Sequence, residues 1–287
     1  LPNLLPGGRP LSAASARVDL AATWGLDLVS STAGRDVDEI LAATTRGEIS
    51  GLVVGGVEVD DLADPAAGLA ALDAADFVVS LEVRASAVTA RADVILPVAP
   101  VEERAGSFVD WEGRVRPFAR VLESNALNDI RVLSGIADEL ARPLGVRTVA
   151  EVRTEMQELG PWDGERTGFT SAPTPADGQP LRDGEMILST WRMLIDDARA
   201  VDGEPHLMAT ARRPAALLST ATLARLGVAP AERVRVSTDA GSVSLPVAAA
   251  DIADDTVWLP ANSGGVRLNT DLLARAGSVV RVERDGP

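Results

Sequence analysis

The sequence predicts two successive domains: an α/β domain built on a doubly wound parallel sheet, then a small closed β-barrel. Three observations lead there. Up to residue 159, short apolar runs stopped by Gly or Pro alternate with helical patterns. From Met186 onward, short segments alternate apolar and polar residues, with few helices between them. Between the two, Gly160 to Gly184 is packed with Gly, Pro, Asp, Ser and Thr and has no apolar period. The predicted division is therefore 1–159, a linker or surface insertion at 160–185, and 186–287.

Taken in order, residues 1 to about 17 are rich in Pro and Gly and read as a loop with short turns. Leu26-Asp27-Leu28-Val29 reads as a short strand. Asp36 can cap a helix with Val37, Ile40 and Leu41 on one face, ended by Gly47. Leu52-Val53-Val54 is an unbroken apolar run stopped by Gly55-Gly56, the pattern of a strand covered on both faces. Asp64-Pro65 opens the next helix with Pro where its missing N–H costs nothing. Phe77-Val78-Val79 and Val94-Ile95-Leu96 are further buried strands, and the helical patterns between them imply βαβ units. Leu127, Ile130, Leu133, Ile136 and Leu140 recur at helical spacing. Thr148-Val149-Ala150-Glu151 is a capping box opening a helix whose core residues are Val149, Val152, Met156 and Leu159.

In the second domain the predicted strands are 233–236, 242–247, 257–260 and 278–282. Asp239-Ala240-Gly241 is a hairpin loop with Gly available for positive φ. Ser219 to Leu226 is a short helix stopped by Gly227. Thr270 caps a helix bearing Leu272 and Leu273.

Composition narrows the function. The net charge of −15 argues against a nucleic-acid footprint. No apolar run approaches a membrane span. The chain begins at Leu1 without a signal-peptide pattern and reads as a piece of a longer polypeptide. With no cysteine and one histidine, His206, it offers no thiol nucleophile, no cysteine-held iron–sulfur cluster and no His-rich metal site. His206 lacks a G-x-S-x-G partner and reads as structural or surface.

Each remaining candidate but Trp162 has a bland reading that outweighs the sharp one. Gly55-Gly56 could cradle a phosphate, but no G-x-G-x-x-G or G-K-[ST] accompanies it. Glu102-Glu103-Arg104 could be an acid–base pair and is more simply a salt-bridged loop. Phe108 and Trp111 could stack a base and more simply anchor their loop to the core or to a partner. Asp60-Asp61 and Asp254-Asp255 match no Ca²⁺ loop and read as turn carboxylates. Trp162 is balanced between an interface anchor and a locally buried one. No catalytic, cofactor-binding or metal-binding residue is therefore assigned.

Two signatures carry a family resemblance. The strand ADVILP at Ala92 leads to Glu102/Glu103, Gly106-Ser107-Phe108 and Glu112-Gly113-Arg114, an order that resembles the molybdopterin oxidoreductase superfamily. The second half, with Ala224-Arg225-Leu226-Gly227-Val228, Val234-Arg235-Val236, Gly241-Ser242-Val243 and Val257-Trp258-Leu259-Pro260, resembles that superfamily's dinucleotide-binding module, a double-psi β-barrel. LLPGGRP at Leu4, GRDVDEIL at Gly34, LVVGGVEVDDL at Leu52, WEGRVRPF at Trp111 and STWRMLID at Ser189 look most like the C-terminal part of the G subunits of NADH-quinone oxidoreductase, respiratory complex I, of actinobacterial type.

That resemblance implies a structural segment in the peripheral arm of a membrane complex, on the cytoplasmic side. The complex moves electrons from NADH to quinone, expected to be menaquinone, and translocates protons. Its 2Fe-2S and 4Fe-4S clusters are expected upstream of this segment, which holds no cofactor itself. The implied partners are the other complex I subunits, including the NADH-oxidising module, with neither nucleic acid nor membrane insertion. Where catalytic relatives have a G-x-N-P turn after Gly55-Gly56, this chain has Val57-Glu58, and a carboxylate there repels a diphosphate. The alternative is a fragment of an active molybdenum or tungsten oxidoreductase such as a formate dehydrogenase.

Overall fold

The computed structural model describes residues 4–110, 112, 114–165 and 180–286. The chain forms two compact units, 1–58 with 69–173 and 59–68 with 174–287. Residues 59–68 thus leave the first unit and belong to the second.

The first unit opens with a two-residue antiparallel ladder, Leu4–Leu5 with Arg9–Pro10, around a glycine turn. Helix α1 follows at Ala14–Trp24 and stops at Gly25, whose φ of 62° is left-handed. The loop expected up to about residue 17 therefore ends earlier, because Ala-rich residues 14–24 carry no apolar stripe to reveal a helix. The strand expected at Leu26–Val29 is not formed. That stretch is irregular, joins no strand among the described residues and leaves Leu28 79% exposed.

Helix α2 (Val37–Thr45) has the cap expected of Asp36. Its carboxylate accepts from the Glu39 N–H at 2.9 Å, and Glu39 accepts from the Asp36 N–H at 3.0 Å. Strand β1 (Gly51–Gly55), helix α3 (Pro65–Ala74), strand β2 (Phe77–Glu82) and strand β3 (Val94–Pro97) follow, and the three strands form a parallel sheet in the order β1-β2-β3. Val53, Val79 and Val94 are neighbours in register and share one face. That face is not covered as the apolar runs suggest, since Val53 is 62% exposed. An antiparallel hairpin, β4 (Gly106–Val109) and β5 (Val115–Phe118), leads to α4 (Asp129–Glu139) and α5 (Val149–Leu159). Asn128 caps α4, and the Thr148/Glu151 capping box opens α5. The spacing of apolar residues reveals both helices but not their depth of burial: Leu133, Leu140 and Met156 are all exposed.

The second unit is a closed barrel of β6 (Glu185–Trp191), β7 (Ala216–Leu218), β8 (Arg233–Ser237), β9 (Ser242–Ala249), β10 (Thr256–Pro260) and β11 (Val279–Arg284), in the ring order β8-β9-β7-β10-β6-β11. Two pairs are parallel, β6 with β10 and β7 with β9, and all other pairs are antiparallel. The double-psi β-barrel expected from the resemblance is met. Val234, Val236, Val243, Leu245, Val247, Val280 and Val282 are buried in the barrel core, alternating with more exposed residues as the sequence pattern predicts. Between β7 and β8, helix α6 (Thr220–Leu226) is capped by Ser219 and ends at Gly227 with φ 63°.

Two details differ from expectation. Gly241 does not have positive φ; a Cβ there would meet the Asp271 carbonyl at 2.4 Å, so close approach requires the glycine. Thr270 lies inside a single turn, Leu268–Asp271, instead of capping it.

Candidate functional site

The candidates of the first unit resolve into structural roles. Gly56 takes φ 61° at the end of β1 and donates its N–H to the Leu81 carbonyl at 3.1 Å, so that amide is not directed at a phosphate. Asp93 of the ADVILP strand accepts from the Val78 N–H at 2.7 Å and pins β3 to β2. Glu102 works through its backbone carbonyl, which accepts from Val121 and Leu122 at 2.9 Å each. Arg104 pairs with Asp129. Phe108 stacks on Phe118 with ring centroids 4.9 Å apart, within the hairpin, while Trp111 lies outside the described residues.

Trp162 proves to be a local anchor. It is half-buried, its ring lies 5.7 Å from the Arg9 guanidinium, its indole N–H donates to the Glu165 carbonyl, and its backbone N–H donates to the Gly7 carbonyl. Arg9 is 4% exposed and donates to the carbonyls of Leu159 (2.8 Å) and Gly160 (2.9 Å), the end of α5. A guanidinium at a helix C-terminus meets carbonyls that have no partner within the helix. His206 is exposed on a one-turn helix, where Glu204 caps its N–H.

In the second unit, Asp254 accepts from Ser219 at the start of α6, and Asp255 pairs with Arg225. Asp60 and Asp61 do something the sequence does not foretell. A cavity of about 430 Å³ is lined by both, together with Arg192, Ala261, Asn262, Arg267, Leu268 and Asn269. Asp60 pairs with Arg267, and Asp61 lies 4.0 Å from Arg192. Arg192 also donates to the buried Asp196 at 2.8 Å, and that hydrogen bond raises its pKa above the ordinary arginine value. The Arg267 backbone N–H is held by Asp271 at 2.8 Å. Sequence reasoning misses Arg192, Asn262 and Arg267: the last two face each other across a short local ladder, but Arg192 and Asp60 lie far from them in the chain and are brought in only by the fold. The nearest signal is the Asn262–Gly265 turn directly behind β10.

Among the described residues no group of three or more His, Cys, Asp or Glu could hold a metal ion, and no helix is long and apolar enough to cross a membrane.

Residues 15–139 match the family described as Molybdopterin oxidoreductase, and residues 186–282 match the Molydopterin dinucleotide binding domain. The chain is 48% identical over 98% of its length to the G subunit of NADH-quinone oxidoreductase from Mycobacterium bovis, covering 35% of that protein. It is 43% identical over 98% of its length to the Streptomyces coelicolor G subunit, covering 34% of it. A more distant similarity, 26% identity over 70% of this chain and 21% of the relative, is to a putative formate dehydrogenase of Staphylococcus aureus. The chain thus spans about a third of the length of its mycobacterial and streptomycete relatives.

The second match implies a dinucleotide, whose diphosphate needs cationic or N–H donors. The cavity does not fit it. Its two guanidinium groups already face Asp60, Asp61 and Asp196, with Asp271 beside them, so carboxylates outnumber arginines.

Proposed function

We propose, for a chain that belongs to the G-subunit family of NADH-quinone oxidoreductase and spans about a third of its relatives' length, a scaffolding role in the peripheral arm of that complex. The carrying observation is the 48% identity across 98% of the chain. The segment is C-terminal in its polypeptide and packs against other subunits of the complex on the cytoplasmic face of the membrane. The enzyme as a whole passes electrons from NADH through iron–sulfur clusters to menaquinone and translocates protons. This segment binds no cluster, because a chain without cysteine lacks the thiolates that ligate one. It carries no catalytic, cofactor-binding or metal-binding residue, and the paired arginines of the barrel cavity support that reading. The division at 1–159, 160–185 and 186–287 belongs to the same proposal.

The second reading, a fragment of a molybdenum or tungsten oxidoreductase, draws on the 26% similarity and on the two molybdopterin-family matches. Metal and cofactor analysis of the intact native protein separates the two. Iron and labile sulfide without molybdenum, tungsten or pterin, in a multi-subunit membrane complex, are expected. Stoichiometric molybdenum or tungsten with pterin would overturn the scaffold reading.

A further inference from the structure

We infer that Asp60 and Asp61 are resident counter-ions that fill, from within the chain, a diphosphate-class anion site formed by Arg192 and Arg267. Three observations combine. The two arginines line one cavity and come from distant parts of the barrel sequence, Arg192 just past β6 and Arg267 past β10. Guanidinium forks are the side chains best shaped for phosphate oxygens, and two such groups over one cavity suit two linked phosphates.

The ions facing them are consecutive residues of a single 3₁₀ turn, Val59–Asp61. Adjacent Cα atoms are about 3.8 Å apart, so the turn presents two anionic groups at short spacing, as a diphosphate does. Asp60 pairs with Arg267, and Asp61 stands 4.0 Å from Arg192, whose hydrogen-bonded partner is Asp196 at 2.8 Å.

The turn is also fixed in place. Val59 is 3% exposed, its carbonyl accepts from the Leu62 N–H at 3.1 Å, and the turn packs on the Leu268–Asp271 turn. The carboxylates are therefore presented by ordered backbone and are not carried on a loose loop. Beside them, Asn262 lines the cavity with a side-chain oxygen that has no hydrogen-bond partner among the described residues. That oxygen can only accept, so it offers nothing to a phosphate, and anion recognition here rests on the two guanidinium groups. The inference does not depend on any other subunit, so it stands or falls separately from the scaffold reading.

The test uses the complete 287-residue chain, titrated with inorganic pyrophosphate by calorimetry at low salt. The parent chain is expected to bind pyrophosphate only weakly. The D60N/D61N chain is expected to bind at least about tenfold more tightly, and binding should vanish again when R192Q/R267Q is added. Should the double variant fail to melt cooperatively, D60N alone frees Arg267 from its paired carboxylate and should still raise affinity measurably over the parent. A folded variant that binds no more tightly than the parent overturns the inference. So does binding that survives the loss of both arginines.

Discussion

Replacing Arg9 by Ala should destabilise the first unit by about 3 kcal/mol. The side chain is 4% exposed and donates to two carbonyls at 2.8 and 2.9 Å, those of Leu159 and Gly160. Hydrogen bonds to a charged group contribute roughly 1.5–3 kcal/mol each, and an acceptor left buried without a partner adds a desolvation penalty. Two such bonds set an upper range near ~6 kcal/mol, and partial rehydration of the helix end brings the expectation down to about half. Asp19, 3.4 Å from Nε but not hydrogen-bonded to it, and the ring of Trp162 would lose their cation as well. For a unit of this size, roughly 2–4 °C of melting temperature go with each kcal/mol, so a drop of about 6–12 °C is expected. Circular dichroism gives the midpoint. Arg9→Lys keeps the charge without the fork and should recover only part of the loss. Arg120→Ala, at an exposed pair with Glu123, is the control and should leave the midpoint nearly unchanged. A drop for Arg9→Ala no larger than that of Arg120→Ala would refute the account of a buried cap.

Three other expectations rest on the same kind of geometry. Gly241→Ala drives a Cβ to 2.4 Å from the Asp271 carbonyl. It should destabilise the barrel by about 1–3 kcal/mol in urea melts, and an unchanged midpoint would remove the close-approach explanation. Thr148→Ala breaks one arm of the capping box and should cost α5 about 1 kcal/mol, read as reduced amide-exchange protection at Val149 to Glu151. Glu48, Glu151 and Asp285 are all held below their ordinary carboxylate pKa values. The main causes are a hydrogen bond from Arg46, backbone N–H bonds from Arg147 and Thr148, and a hydrogen bond from Ser244, respectively. Since the folded chain then binds these protons less readily than the unfolded one, their contribution is complete above the ordinary values of 4.5 and 3.8. It is lost as pH falls through the depressed ones. Urea midpoints that stay flat from about pH 6 down to about pH 3 would contradict this.

What the sequence discloses follows the strength of its local physics. The barrel strands are legible because one face is buried and the other wet, so Val234 and Val236 alternate with Arg233 and Arg235. Caps are legible because they act over three residues, as at Asp36 and Thr148. Helix α1 is not, since its many alanines give propensity without periodicity, and only Ala16, Leu20 and Ala21 are buried. The strand expected at Leu26–Val29 fails because four apolar-rich residues do not make a strand without a neighbour to pair with. The covering of the parallel sheet is overread for a similar reason. A Val run sets which residues are apolar, not what lies against them, and Val53 and Ile95 are exposed. The cavity arginines are beyond any local signal, since Asp60 and Arg267 are 207 residues apart.

The net charge of −15 also reads differently once the partners are known. From sequence it is a diffuse repulsion of anionic ligands. In the fold, many carboxylates have a defined local task. Asp36, Asp64 and Glu151 accept N–H groups at helix starts, Asp93 fastens two strands, and Asp110 closes the hairpin by accepting from the Glu112 and Arg114 N–H groups. Carboxylates used this way hold the backbone, at helix starts, between strands and at the hairpin end. Asp60 and Asp61 extend the same usage from backbone amides to guanidinium groups. A chain that directs its carboxylates at its own donors, and has no thiol and a single exposed imidazole, keeps the architecture of a cofactor-binding fold while satisfying its charges internally. Whether that internal pairing is what keeps an anion out of the barrel cavity is decided at the Asp60–Arg267 and Asp61–Arg192 pairs.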